Sequence, residues 1–575
     1  MSFATFHAIL TLILLTFNRG GVFIGAPMSI VPYAKIGIRV GKFSWLGAII
    51  LLLVTAEPVP AAVVTANGFQ IQLNGQPFVI KGMNYSPVPI GTAPGNVPYG
   101  DYFVSDYANV WQPDIDNIRQ AGINVIKLYA GNPDLNAGSP GSGGNWKQFL
   151  DYCYNGGTNP VYVVMFSYAQ GGVIAQGGDG LNDYIRQYSE MVKSTVTHPA
   201  VFGYIIGNEI FDGVTSNSQF WINFGTLINA AQGAGLSQGQ NPFLMTATND
   251  NFTPQNSWPA IQLGEQSAQL ANLNSWCINV YRGDQFGGSG NSVFTQYLAL
   301  MSSLGSTVKK PLILGEWGTP HTTRPANVYS SNAAGPVTNL DDVPVSQMGS
   351  GQPYFAAEPV ETFLNTQWNT IKTNLMAGSN QVCVGGFIFD WCDEYWKGSN
   401  NNVQVGGPNI NFQGGAFAGG YWDEAGFGVT SAVDQSAYGP GNANISRTLF
   451  KGYNAIKTFY NASSWSAGEL YGLPRLPAPD LPALRKEIRH HIHRIRAKLH
   501  RLKQQHQSGS QKKARVHRLL EMQISVLGAR LLFPTDEVLQ QMDDSLDHRT
   551  GLGRVAMRTM LTELNARLVE LQAGG

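Results

Sequence analysis

Val201-Phe-Gly-Tyr-Ile-Ile-Gly-Asn-Glu209 is apolar for most of its length and then closes on an amide and a carboxylate. It does not alternate polar with apolar residues, so it reads as a strand buried on both faces, the condition of a parallel sheet covered by helices. Working outward, similar runs recur over residues 79–85, 124–130, 161–167, 244–248, 276–281, 312–317 and 384–391, which makes eight with 201–209. They are short and rich in Val, Ile, Phe and Tyr. Between the third and fourth, Tyr184, Ile185, Tyr188, Met191 and Val192 form a helical stripe. Eight alternating β and α units predict an α/β protein, a (β/α)8 TIM barrel. The competing architecture, a doubly wound open sheet, would carry a Gly-rich phosphate turn after its first strand. Asn84-Tyr85-Ser86-Pro87 stands there instead.

The chain around this region divides into four parts. Residues 1–62 form a leader: Lys35, Arg39 and Lys42 precede an apolar run over 45–54, and Ala56, Ala61 and Ala62 follow it. This is the order of a signal peptide, and cleavage after Ala56 or Ala61 fits it. An earlier apolar stretch, 4–17, leaves two readings open: a natural start at Met28, or retention of both runs as a membrane anchor. The barrel domain is expected over 63–470. It opens with Phe69-Gln-Ile-Gln-Leu73, Asn74-Gly75 and Gln-Pro-Phe-Val-Ile80, a β-hairpin with a type I′ turn placed to cover the barrel floor. Residues 471–483 hold four prolines and read as a stiff linker. Residues 484–575 read as an α-helical extension. Its stripe of Leu484, Ile488, Ile492, Ile495, Leu499 and Leu502 lies under a basic face, with twelve Lys or Arg and one acid between Arg485 and Arg518. Three roles suit such a tail: a solvated face, an oligomer through the Leu/Ile stripe, or association with a membrane or cell-wall polymer.

Composition narrows the ligand class. The 575 residues carry zero net charge overall, but the tail's excess of base leaves the barrel region mildly acidic. Charged residues are only 13% and aromatic residues 11%, which suits an exported protein handling an uncharged, hydroxyl-rich ligand. No Walker or Rossmann glycine pattern appears, and no His, Cys or Asp spacing makes a metal site, so no cofactor, metal or nucleic acid is expected. Of the four cysteines, Cys383 and Cys392 flank one predicted strand. They would stand roughly 30 Å apart in extended chain, so they cannot pair. Buried free thiols are the favoured reading for the four.

The chemistry lies where strands end, because a TIM barrel keeps its site at the C-terminal rim. Strand four ends in Asn208-Glu209, strand seven in Gly315-Glu316-Trp317-Gly318, strand six in Asn279-Val280-Tyr281, strand one in Asn84-Tyr85 and strand eight in Asp390-Trp391. Carboxylates closing apolar strands are costly without a function. Strands four and seven face each other across the mouth, and cleaving a glycosidic bond requires two such carboxyls, one protonated and one ionised. Glu209 and Glu316 are therefore the candidate catalytic pair. Asn84, Tyr85, Tyr129, Asn249 and Asp250, at or near strand ends, are further candidates for binding substrate.

Asn-Glu after strand four with Glu after strand seven resembles glycoside hydrolase clan A. Five stretches are similar to the family 72 β-1,3-glucanosyltransferases: Ile80-Lys-Gly-Met-Asn-Tyr85, Asp114-Ile-Asp-Asn-Ile-Arg-Gln-Ala-Gly-Ile-Asn-Val-Ile-Lys-Leu-Tyr129, Phe202-Gly-Tyr-Ile-Ile-Gly-Asn-Glu209, Thr246-Ala-Thr-Asn-Asp250 and Gly386-Phe-Ile-Phe-Asp-Trp391. Families 2 and 5 of the clan share these features. The family 72 cysteine framework is not matched, and Trp317 follows Glu316 where another aromatic is usual. The resemblance implies retention of configuration, with Glu209 as acid/base and Glu316 as nucleophile. It also implies that Asn208 bonds the sugar 2-hydroxyl, Tyr281 orients Glu316 and Trp391 stacks on the bound ring. The expected partner is a β-linked glucan, most readily β-1,3-glucan. The alternative is a catalytically inactive cell-wall carbohydrate-binding protein assembled through its tail.

Overall fold

The computed structural model describes residues 60–465, apart from 95–101, 130–144, 251–256, 289, 306–307, 324–337, 349–357, 376–380, 398–400, 403, 405–415 and 421. The leader up to residue 59, the proline-rich linker and the basic tail lie outside the described residues.

Eight parallel strands close into a barrel: Ile80–Tyr85, Val125–Leu128, Tyr162–Ser167, Val201–Asn208, Leu244–Asp250, Ser275–Val280, Leu312–Trp317 and Cys383–Ile388. They neighbour one another in chain order, and the eighth pairs with both the first and the seventh to complete the circle. Helices follow in turn, from Ala108–Gln120 after strand one to Lys451–Ala462 after strand eight. The expected helical stripe falls inside Gly178–Thr195, which buries Leu181, Tyr188, Met191 and Val192.

Alternation along each strand divides the apolar residues into two cores. Phe202, Ile205, Met245, Cys277, Ile313, Val384 and Phe387 pack inside the barrel. Tyr204, Ile206, Trp276, Ile278, Leu312 and Leu314 pack outward against the helices. The floor is closed by the expected hairpin, in which Gln70–Leu73 pairs antiparallel with Gln76–Pro77. Asn74 (φ 53°) and Gly75 (φ 78°) both take the left-handed conformation that a type I′ turn demands. Val64–Asn67 adds a third strand, and Val64, Ile71 and Leu73 join the inner core.

All four cysteines are buried and free. Among the described residues, no helix is long and apolar enough to cross a membrane.

Candidate active site

A cavity of about 610 Å³ opens at the C-terminal mouth, and Asn208, Glu209, Tyr129, Tyr281 and Glu316 all line it. Two irregularities in the strands bring this set together. Leu312 and Leu314 face outward, so strict period-two alternation would also send Glu316 outward. The pairing register slips after Leu314, which leaves Trp317 in the outer core and turns Glu316 into the barrel. In strand four the register slips between Ile205 and Asn208. Gly207 (φ 77°) and Glu209 (φ 55°) then adopt left-handed conformations, so that consecutive residues Asn208 and Glu209 both reach the cavity. A non-glycine residue held at positive φ costs on the order of 1–3 kcal/mol and is concentrated at functional sites.

The two carboxylates have different surroundings. Glu316 is 7% exposed. Its Oε1 accepts a hydrogen bond from the Tyr129 hydroxyl, and its Oε2 accepts one from Tyr281 at 2.9 Å. The buried ammonium of Lys127 lies 3.7 Å from Oε1. Lys127 also donates to the Gly315 carbonyl at 3.0 Å and packs 4.4 Å from the centre of the Tyr129 ring. Burial lowers the Lys127 pKa, and the charge of Glu316 opposes that fall. Two hydroxyl donors and a lysine thus converge on the Glu316 carboxylate.

Glu209 is half-buried, with Asn279 as its hydrogen-bond donor, Nδ2 to Oε1 at 2.8 Å. Burial, followed by the neighbouring charge of Glu316, pushes its carboxyl up to about 7, with Asn279 pulling the other way. Asn279 also donates to Asn208 Oδ1 at 3.4 Å, and Lys127 approaches the same oxygen at 3.5 Å. With its oxygen so held, the Asn208 amide nitrogen is left to donate to a ligand. Gly315 is required here, since a Cβ at that position would stand 2.4 Å from Asn279 Oδ1.

The other sequence candidates sit elsewhere. Asn84 is buried beneath the cavity and donates toward the Gly315 and Phe387 carbonyls at 3.3 and 3.4 Å. Tyr85, one residue on, points outward and donates to Asp114 at 3.1 Å within the helix-facing core. Asn249 donates to Asp212 at 3.3 Å. Asp250 is fully buried and forms an ion pair with Arg282 at 3.0 Å. Its carboxyl is pushed up to about 7 by burial, against the pull of Arg282. None of these four lines the cavity.

Trp391 is a correction to the expected geometry. It is fully buried and packs edge-on to Tyr453 of the last helix, so it presents no face to the cavity. The eighth strand stops at Ile388, and bonds from Trp391 N–H to the Asn84 carbonyl (3.1 Å) and from Thr430 N–H to the Trp391 carbonyl (2.9 Å) carry the chain outward. Phe389 takes the cavity-facing position instead.

The residues missed from the sequence are Lys127, Asn279, Phe389, Trp396, Lys397, Trp422 and Glu424. A lysine inside the apolar run Val125-Ile-Lys-Leu128 was the available signal for the first, and an asparagine two residues before Tyr281 for the second. His321 is a buried loop residue paired with Asp393 at 3.0 Å. Among the described residues no group of three His, Cys, Asp or Glu side chains could hold a metal ion.

The fold and the site together define a class: a TIM barrel whose C-terminal mouth holds two differently supported glutamates. No protein-family model matches the chain, and no curated protein sequence matches it. Among solved structures it is similar to a GH2 β-galacturonidase from Eisenbergiella tayi, at 15% identity and a TM-score of 0.41 over 70% of this chain and 54% of that one. It is likewise similar to Saccharomyces cerevisiae Gas2p, at 14% identity and a TM-score of 0.42 over 71% and 66%. A β-glucuronidase from Ruminococcus gnavus gives 13%, 0.40, 69% and 52%. The chain spans about half the length of the galacturonidase and the glucuronidase. The barrel assignment rests on the strand order described above.

Proposed function

We propose that the protein is a retaining glycosidase or transglycosidase of clan A acting on a β-linked glucan, β-1,3-glucan foremost. The observation that carries this reading is the unequal support of two glutamates facing one cavity. Glu316 sits among two hydroxyl donors and a lysine, a setting that holds a nucleophile in place. Glu209 has a carboxyl near 7, poised to give and take a proton at neutral pH. A cavity of about 610 Å³ has room for more than one sugar ring.

In the first step a Glu316 oxygen bonds the anomeric carbon as the glycosidic C–O bond breaks, and Glu209 gives its proton to the departing oxygen. In the second, Glu209 takes a proton from water or from an acceptor sugar hydroxyl, whose oxygen displaces Glu316 and restores both carboxyls. Tyr129, Tyr281 and Lys127 hold Glu316 for attack, and Asn208 is placed to donate to the sugar 2-hydroxyl. The test is incubation with defined oligosaccharides of laminarin, cellulose and mannan, followed by mass analysis. Shorter products indicate hydrolysis and longer ones transfer. Unchanged lengths in every case would leave a binding protein instead. The apolar leader adds export to the proposal, to be checked by locating the protein in medium, wall and cell fractions.

A further inference from the structure

The slip in strand four is held by side chains that do not line the cavity. From Ile205 to Asn208 strand four advances three residues while strand five advances two, from Met245 to Ala247. A bulge of this kind re-aims the side chains beyond it and disrupts the regular ladder of backbone bonds. Two buried hydroxyls meet the backbone there. Tyr188, on the helix Gly178–Thr195, accepts a hydrogen bond from Gly207 N–H at 3.1 Å and donates to the Ser167 carbonyl at the end of strand three. Thr246, on strand five, donates to the Ile206 carbonyl at 2.7 Å and approaches the Gly207 carbonyl at 3.4 Å. The helix that carries Tyr188 meets strand four again where Thr195 Oγ1 lies 2.9 Å from the Tyr204 hydroxyl.

Both Tyr188 and Thr246 are fully buried, and neither lines the cavity. A hydroxyl in an apolar layer costs free energy unless it is hydrogen-bonded, and these two find their partners on the backbone around the bulge. Immediately beyond it, Glu209 N–H donates to the Ala247 carbonyl at 2.9 Å, which fixes the start of the residue on strand five. Glu209 is the group that depends most on this arrangement. Glu316 is held by Tyr129, Tyr281 and Lys127, and Asn208 Oδ1 by Asn279 and Lys127, all from outside the bulge. The Glu209 carboxyl is held by the Asn279 amide and otherwise follows its own backbone. An acid must lie within hydrogen-bond reach of the oxygen it protonates, and a misplacement of about 1 Å caused by a change remote from the chemistry can cost about 10²-fold.

We infer that Tyr188 and Thr246 are positioning residues for the proton transfer: their hydroxyls fix the strand-four bulge and so set the reach of the Glu209 carboxyl. This rests on the glycosidase reading above and extends it to residues outside the cavity.

The test compares two leaving groups on one sugar, using the full-length protein. One substrate is a laminarin, cellulose or mannan oligosaccharide, whichever wild type converts, whose departing sugar oxygen needs a proton. The other is the dinitrophenyl glycoside of the same sugar, whose phenolate departs without one. Tyr188→Phe keeps the ring and removes the hydroxyl. It should lower kcat/KM on the oligosaccharide about 10- to 100-fold and leave the dinitrophenyl glycoside within about twofold of wild type. Thr246→Val should show the same pattern with a smaller loss, and it keeps the test decisive if the first variant does not fold. A purely structural role would lower both substrates together. Equal losses on both in the folded variants, or no loss on either, would therefore overturn the inference, while wild-type turnover leaves the glycosidase reading standing. If wild type converts no oligosaccharide of any linkage, the glycosidase reading itself fails and this inference falls with it.

Discussion

Two buried acidic centres in this molecule invite comparison. Asp114, on the helix after strand one, receives Arg447 Nε at 2.7 Å on one oxygen, and Arg447 Nη2 at 3.0 Å and the Tyr85 hydroxyl at 3.1 Å on the other. Arg447 in turn donates to the Ser431 carbonyl and the Tyr438 hydroxyl. The net effect of Asp114 and its neighbours is to hold the guanidinium firmly charged against the penalty of burial. This carboxylate is fully answered and lies away from the cavity; it pins the first helix to the segment that leads into the last. Among the described residues, no guanidinium pairs with Glu209 or Glu316. Their donors are an amide and two phenols, with Lys127 at the edge of contact, and both open on a cavity. Burial of charge is common to the two centres. Completeness of neutralisation is what separates this structural pin from the pair proposed to react.

The contrast breaks first at Glu316. On the proposed mechanism, its change to Ala should lower turnover of β-glucan by more than about 10⁴-fold, since the proposed covalent route is lost with its nucleophile. Residual turnover near wild type would sink the assignment. Asp114→Asn should do the reverse. It leaves Arg447 buried without its counter-charge and should cost about 3–5 kcal/mol in urea unfolding, with kcat of the folded fraction preserved. A catalytic defect without a stability loss would erase the distinction.

Glu209→Gln comes next, with a fall of roughly 10²–10⁴ in kcat/KM on poor leaving groups. Wild-type activity should decline as pH rises through about 7, where Glu209 loses its proton, and the variant should lose that limb. The same substitution reports on stability. A carboxyl raised from 4.5 to about 7 by folding makes the native state progressively less stable as pH climbs through that window. Because Gln keeps the strained backbone but cannot ionise, its melting temperature should gain on wild type between pH 4.5 and 7.5, and a constant difference would contradict the burial effect. The smallest change is expected of Tyr281→Phe, which removes one donor to a charged group. A loss of about 10- to 100-fold in kcat, with KM little altered, would fit a role in holding Glu316.

Much of this was legible in the chain. Eight apolar runs, the Asn74-Gly75 turn and the helical stripe all appear as expected because burial on both faces, left-handed turn residues and a 3.6-residue period are local properties. Glu209 and Glu316 were readable as strand-end carboxylates on the same grounds. Of the neighbours that serve them, Tyr281 came with the family resemblance, but Lys127 and Asn279 were not readable. Tyr85 and Trp391 occupy strand-end positions as suggestive as Tyr281, yet both turn into the outer core, because side-chain direction depends on register and on where a strand stops.

By itself, then, the sequence determined the barrel, its hairpin floor and the two glutamates, since these follow from short-range pattern and from the cost of placing charge among apolar residues. Only the tertiary structure decided that Glu316 turns inward through a register slip, that Lys127 and Asn279 support the pair, and that Glu394, Trp396 and Trp422 complete the wall. Those contacts join residues far apart in the chain, and they exist only once the barrel has closed and brought its strand ends to one rim.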